Sequence, residues 1–182
     1  MGNVVARRYA RALFAIGQKA GAGEMQQYGE ELASLAGTLE GSPELLKVFR
    51  NPIFDVETKK AVLDAVLSKL NPSQMVKNFC LLLAEKNRLA YLPEIEAVYA
   101  ALLDDAQGIV RGRMTTAFEL DSDRQKAIAD KLEAQTKKTV QLNYNVDQEI
   151  LGGLVLTIGD KVFDASLRAQ LDMLKENIKR GE

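Results

Sequence analysis

The chain has 182 residues, with 24 basic and 25 acidic side chains, one cysteine and no histidine. That length holds one sizeable core or two small domains, and the near-cancelling charge supplies no whole-protein field for nucleic acid or an anionic membrane. The missing histidine removes the commonest metal ligand and the usual acid–base group near neutral pH. A single cysteine excludes an intrachain disulfide, a Cys-x-x-Cys redox pair and a thiolate zinc cage, and it suits a reducing compartment.

Nothing near the N-terminus reads as a secretory leader, because Arg7, Arg8 and Arg11 lie inside the first apolar stretch instead of ahead of it. Met1-Gly2-Asn3 begins like a myristoylation signal, but Ala6 stands where Ser or Thr is needed. No run approaches the roughly 20 apolar residues of a membrane span.

Val4 to Ala20 is predicted as a helix with an unusually wide apolar arc. At about 100° per residue, Val5, Ala6, Tyr9, Ala10, Ala12, Leu13, Phe14, Ile16 and Ala20 sweep out roughly 200°, about twice what a surface helix needs. Two readings fit. The helix is central and covered by its own neighbours, or one side meets the core while the other, around Tyr9, Ala12 and Ile16, receives a partner.

Gly21 to Gly23 ends this helix, and Glu24 to Leu39 forms a second. Gly41-Ser42-Pro43 supplies a stop, an N-cap and a proline at the first helical position of a short helix reaching about Arg50. Asn51-Pro52 breaks it, and Asp55 caps a helix from Val56 to Leu70. After Asn71-Pro72, Ser73 to Lys86 again shows a wide apolar arc: Met75, Val76, Phe79, Cys80, Leu82 and Leu83. Leu92-Pro93 opens a sixth helix to about Asp105. Six short helices in this length describe a compact bundle.

After Asp104 to Gly108 the period changes to two. Val110, Gly112, Met114, Thr116, Phe118 and Leu120 alternate with Arg111, Arg113, Thr115 and Glu119, as in a half-buried strand. Ser122 and Gln125 form a capping-box pattern before a helix to about Lys137. Val140, Leu142, Tyr144 and Val146 mark a second strand. Gly152-Gly153, the apolar run Leu154 to Ile158, a Gly159-Asp160 turn and a short strand ending at Asp164 precede an amphipathic helix opening near Ser166. The expected fold is α+β overall: a six-helix bundle over residues 1–105, then a small domain over 106–182 in the order strand, helix, strand, strand, strand, helix.

The candidate chemistry is sparse. Gly153 and Gly159 are separated by five residues, Asp160 follows where a phosphate-binding loop needs lysine, and Gly-Gly precedes a strand where a phosphate cradle must follow one. The glycines have a simpler use, turning the chain into an edge or bulged strand and closing the hairpin. Asp160 and Asp164 lack partners for acid–base or metal work, and Asp164 is placed to cap the last helix or to accept from Ser166. Cys80 sits on an apolar helix face, where cysteine is usually buried and inert. Arg7, Arg8 and Arg11 read as a solvated edge. No cofactor, no metal and no catalytic residue is expected.

The order Gly-Gly, apolar strand, Gly-Asp, Val-x-Asp-x-Ser-Leu-Arg-x-Gln-Leu across Gly152 to Leu171 resembles the C-terminal signature of the delta subunits of bacterial F-type ATP synthases, the family of the mitochondrial oligomycin-sensitivity-conferring protein. Ala6-Arg7-Arg8-Tyr9-Ala10-Arg11-Ala12-Leu13-Phe14 resembles that family's N-terminal Ala-Arg-x-Tyr-Ala-x-Ala-Leu-Phe. Leu82-Leu83-Ala84-Glu85-Lys86-Asn87-Arg88-Leu89, followed by Leu92-Pro93, resembles its fifth-helix pattern. Thr157 departs from it, since the family commonly carries a charged or larger polar residue there.

The resemblance implies a non-catalytic stator subunit that joins the catalytic head to the peripheral stalk. Such a subunit is peripheral, at the cytoplasmic face of the bacterial inner membrane, without inserting into it or binding nucleic acid. In that family the groove between helices one and five receives the N-terminal helix of an alpha subunit. By position that groove corresponds here to Tyr9, Ala12 and Ile16 from the first helix and Met75, Phe79 and Leu82 from the fifth. The C-terminal domain is implied to meet the b-type stalk helices. Composition and periodicity alone equally suit a two-domain helical adaptor of another multi-protein assembly.

Overall fold

The computed structural model describes residues 2–180 apart from 52, 151 and 160, with side chains left aside at 2, 3, 172, 174 and 176–180. Met1, at the head of the myristoyl-like start, Pro52, in the break after the third helix, and Asp160, in the hairpin turn and the imagined carboxylate pair, lie outside the described residues. The chain divides into two compact units, Met1–Leu103 and Asp104–Glu182.

The first unit is built from α1 (Gly2–Ala20), α2 (Ala22–Glu40), α3 (Pro43–Arg50), α4 (Val56–Leu70), α5 (Gln74–Glu85) and α6 (Leu92–Gln107), with a single 3-10 turn at Leu89–Tyr91 before α6. One residue, Gly21, separates α1 from α2; its φ of 141° lies in the region that favours glycine. Asp55 caps α4, its carboxylate accepting from the Thr58 amide at 2.7 Å. Ser42 does not cap α3 through its side chain, although Pro43 does occupy the first turn. Ser42 has φ −130° and ψ 87°, outside the geometry of the Asp55 cap, and its contribution is a backbone carbonyl accepting from Leu46 at 3.3 Å.

The bundle core gathers around Tyr99 of α6, which is fully buried. Its hydroxyl donates to the Met25 carbonyl at 2.8 Å, and its ring meets Phe14 edge-on at 5.7 Å between centroids. Room for it is made by small residues. A Cβ at Gly17 would stand 3.3 Å from the Tyr99 hydroxyl and 3.2 Å from the Met25 Cα, and one at Gly29 would stand 3.4 Å from the ring. Loss of water and then the neighbouring Tyr28 push the phenol up to about 12. Tyr99 therefore stays a neutral donor at any ordinary pH.

The second unit is a four-stranded sheet of β1 (Ile109–Thr116), β2 (Thr139–Val146), β3 (Leu154–Ile158) and β4 (Lys161–Asp164), in the order β2-β1-β3-β4, with α7 (Ser122–Thr136) and α8 (Leu167–Arg180). β1 and β2 are parallel, joined through α7, and the other two pairings are antiparallel. The register sets Val110 opposite Val140 and Met114 opposite both Tyr144 and Leu156, so the apolar positions of three strands share one face. On that face Met114, Val140 and Leu156 are buried. Phe118 and Leu120 fall beyond the end of β1, where the Thr116 hydroxyl donates to the Phe118 carbonyl at 2.7 Å and turns the chain away.

The α7 cap is Asp121, whose carboxylate accepts from the Arg124 amide at 2.8 Å, and Ser122 is the first helical residue. Gln125 does not close a capping box; its amide donates to the Leu120 carbonyl at 2.9 Å. The cap of α8 is Ser166, accepting from the Ala169 amide at 3.2 Å, while Asp164 accepts from the Ser166 amide at 2.9 Å.

Gly152-Gly153 leads into β3, which is an interior strand; the edge belongs to β4. Gly153 has φ +85°, and a Cβ there would overlap the Ala165 carbonyl oxygen and stand 2.9 Å from the Ser166 Cα. The same chain crossing is tied by Ala165 donating to Leu154 and Leu167 donating to Gly152, both at 2.9 Å. Gly153→Ala is expected to lower stability by more than about 1 kcal/mol, the scale of a side chain forced into a sparsely allowed conformation. Gly37→Ala, on an open face of α2 with nothing within 4 Å, should instead raise it by about 0.5–1 kcal/mol. Thermal melting followed by circular dichroism separates the two outcomes.

Half-buried Glu96 on α6 gives a second expectation. Desolvation, and then the Glu40 charge, raise its carboxyl above the ordinary value. A folded pKa above the unfolded one means that the associated stability is present at low pH and lost as pH rises through the folded pKa. Glu96→Gln should therefore melt higher than the parent at neutral pH, by on the order of half a kcal/mol, with the difference closing on acidification.

Candidate functional site

The wide apolar arc of α1 divides in two. Ala6, Ala10, Leu13 and Gly17 are buried along one line of the helix. Roughly 100° round from it runs a second stripe of Tyr9, Ala12 and Ile16. There Tyr9 is half-buried, Ala12 is exposed and Ile16 is 43% exposed. α5 divides in the same way: Val76, Cys80, Leu83 and Ala84 are buried, while Met75 is half-buried and Leu82 is 43% exposed.

Tyr9 and Phe79 are brought together, edge to face with centroids 6.3 Å apart and planes 70° apart. That contact sets α1 beside α5 at the level of the two rings. Phe79 itself is only 8% exposed and belongs to the bundle core, so its ring is a floor under Tyr9 and offers little free surface. Met75 packs against the same core, whereas Ile16 and Leu82 stand out from it. The Arg8 guanidinium lies 5.3 Å over the Tyr9 ring at the edge of the stripe, while Arg7 and Arg11, also exposed, lie farther round the helix.

In the second unit, uncovered apolar side chains are more numerous. Val162 and Phe163 of edge strand β4 are 62% and 53% exposed, and Leu167 and Leu171, one turn apart on α8, are 49% and 58% exposed. The sequence shows α8 to be amphipathic, and its apolar face is not among the expected binding surfaces. The signal available was the four-residue spacing of Leu167 and Leu171 beside a short edge strand carrying Val-Phe.

Catalytic chemistry finds no footing among the described residues. No group of three or more His, Cys, Asp or Glu side chains is placed to hold a metal, and Cys80 is fully buried. Burial first, then the Glu31 charge, push the Cys80 thiol up to about 12, far from a reactive thiolate. Asp164 is occupied by Ser166, whose side chain first and then its backbone amide hold the carboxyl below the ordinary value. No helix of the described residues is long and apolar enough to cross a membrane.

Residues 5–178 match the family model described as ATP synthase delta (OSCP) subunit. The chain belongs to that family. Named relatives agree along the full length: ATP synthase subunit delta of Oleidesulfovibrio alaskensis is 54% identical over 181 residues, covering 100% of this chain and 99% of that protein. The subunit of Maridesulfovibrio salexigens is 53% identical over 180 residues, with 99% and 98% covered, and that of Nitratidesulfovibrio vulgaris is 51% identical over 181. A chain of the mitochondrial ATP synthase hexamer of Toxoplasma gondii, solved by cryo-electron microscopy, shares the fold at a TM-score of 0.72. It is 21% identical, with 95% of this chain and 96% of that chain covered. Membership of the delta (OSCP) family makes this a non-catalytic subunit of the ATP synthase complex.

The burial pattern separates surface from floor by experiment. Phe79→Asp places a charge in the bundle core and should cost several kcal/mol, enough to melt the first unit at moderate temperature. Ile16→Asp and Leu82→Asp change exposed positions and should stay within about 0.5 kcal/mol of the parent.

Proposed function

We propose that the chain is the stator link of its ATP synthase, holding the catalytic head to the peripheral stalk while the rotor turns, so that proton-driven rotation is coupled to ATP synthesis. The first unit takes the N-terminal amphipathic helix of an alpha subunit on the stripe formed by Tyr9, Ala12, Ile16, Met75 and Leu82, with Phe79 as its floor. The second unit takes the b-type stalk helices on the uncovered apolar side chains of β4 and α8. In this reading the subunit is peripheral, at the cytoplasmic face of a bacterial inner membrane.

The observation that carries this reading is the division of α1 into a buried stripe and an uncovered apolar stripe that meets α5 at Tyr9 and Phe79. A helix facing only its own bundle has no use for the second stripe. A partner helix laid along it reads as i, i+3 and i+7 anchors, the usual helix-in-groove mode. The exposed Arg8 beside Tyr9 favours an acidic side chain on that partner's flank.

The work is done by binding. Burying on the order of 1,000 Å² of apolar surface returns roughly 25 kcal/mol gross. Association and ordering costs leave about 12 kcal/mol, the value of a nanomolar complex. Ile16→Asp and Leu82→Asp should each weaken capture of an alpha N-terminal peptide by about 100-fold or more, while the melting midpoint holds. Calorimetric titration of the full chain reads this directly, and unchanged affinity in both variants would overturn the assignment.

A further inference from the structure

Lys59 is the exception in the bundle. It sits on α4 and is 2% exposed, although lysine is almost never fully buried unless paired. Its ammonium donates to the Asn87 side-chain oxygen at 2.6 Å, and among the described residues no carboxylate pairs with it. A neutral amide is a weak counterpart for a desolvated charge, which ordinarily needs an anion or a full set of acceptors. An ammonium has three donors, and among the described residues one is used here.

The surroundings continue the pattern. Lys59 lines a concavity of about 400 Å³ together with Phe49, Arg50, Asn87, Ala90 and Tyr91. Because the Asn87 oxygen faces Lys59, its NH₂ group is left to donate. Arg50 and Tyr91 add a guanidinium and a phenol, and the Arg88 guanidinium lies 5.8 Å over the Tyr91 ring. Among the described residues no acidic side chain lines the concavity. Donors gathered from the end of α3, from α4 and from the turn after α5, without one carboxylate among them, make a binding site for a negative group.

We propose that this concavity binds an oxyanion, a phosphate or a carboxylate, held by Lys59, Arg50 and Asn87. A bound oxygen would satisfy the idle donors of the ammonium, and a planar or tetrahedral anion suits the fork of the Arg50 guanidinium. If the lysine only pinned the Asn87 turn, replacing it would change stability and leave anion binding as it was. If it holds an anion, its loss moves affinity.

The test titrates the full chain with inorganic phosphate, and separately with acetate, by calorimetry at ionic strength held constant with chloride. Saturable one-to-one binding of phosphate is expected, weakened about tenfold or more in Lys59→Met and in Arg50→Gln. Arg50 is exposed, so Arg50→Gln retains the fold and decides the matter even where Lys59→Met unfolds. Binding of phosphate without acetate assigns the site to a free phosphate. Binding of acetate as well, or alone, assigns it to a carboxylate such as an acidic side chain of a neighbouring chain. The proposal is overturned by no saturable heat with either anion, or by equal affinity in the folded variants.

Discussion

A tyrosine can stand at the middle of a small helical bundle only if its ring has room and its hydroxyl has an acceptor. Tyr99 meets both conditions through residues far away in sequence: Gly17 on α1 and Gly29 on α2 leave the space, and the Met25 carbonyl accepts the hydroxyl's hydrogen bond. A methyl group at either glycine would press on the ring or its hydroxyl, so three helices are fixed against one another by a single side chain. With Ala6, Ala10, Leu13 and Gly17 committed to that core, the remaining apolar side of α1 is left over. The uncovered stripe of Tyr9, Ala12 and Ile16 is thus a by-product of how tightly the other side is packed. An arc of roughly 200° cannot all face one core, and the glycine-lined contact decides which part does.

The second unit depends on a comparable close approach. Gly153 lies against the backbone of Ala165 and Ser166, and the two amide bonds across that crossing join the start of β3 to the start of α8. Gly-Gly, the Asp-x-Ser turn and the helix that follows are therefore one object, although ten residues separate Gly153 from Asp164. This is the physical content of the signature by which the family is recognised. It is a requirement of backbone packing, with no ligand implied, and it places Leu167 beside Gly152 and leaves Leu171 uncovered one turn later.

Much of this was legible in the sequence because it rests on period and punctuation. The change from a 3.6-residue to a 2-residue repeat near Gly108, the proline and glycine breaks and the Asp55 cap all report local backbone preference, and the elements fall where those signals put them. Caps were less legible where two polar residues adjoin. Ser122 and Asp121 are equally able to cap, and the choice turns on which one is extended when the helix begins, at φ −65° and ψ 157° for Asp121. The candidate surface was legible as a set of residues but not as a profile in depth. Phe79 and Leu82 share one apolar arc, yet one is 8% exposed and the other 43%, because only the packing of neighbouring helices fixes which part of the arc is covered. Lys59 was invisible for the opposite reason. A lysine among apolar helix positions reads as a solvated face, and only the turn carrying Asn87 closes over it.

The proposed stator role also bears on how a passive subunit would resist torque. A link under load fails at whichever contact dissociates first, so its holding time is set by the faster-dissociating end. The proposed contacts of this chain are in series, the head on one unit and the stalk on the other, joined by continuous backbone. Release then needs only one contact open, so the two have to be comparably tight. Uncovered apolar side chains on both units suit that requirement, since each unit has apolar surface of its own to commit. Exposed apolar side chains such as Val162, Phe163, Leu167 and Leu171 are a liability in a free monomer, and a standing partner in the assembled complex removes it. On this reading the rigid parts, Tyr99 with its glycines and Gly153 with its turn, keep each binding face in register with its own core. The load is carried where apolar surface was left uncovered.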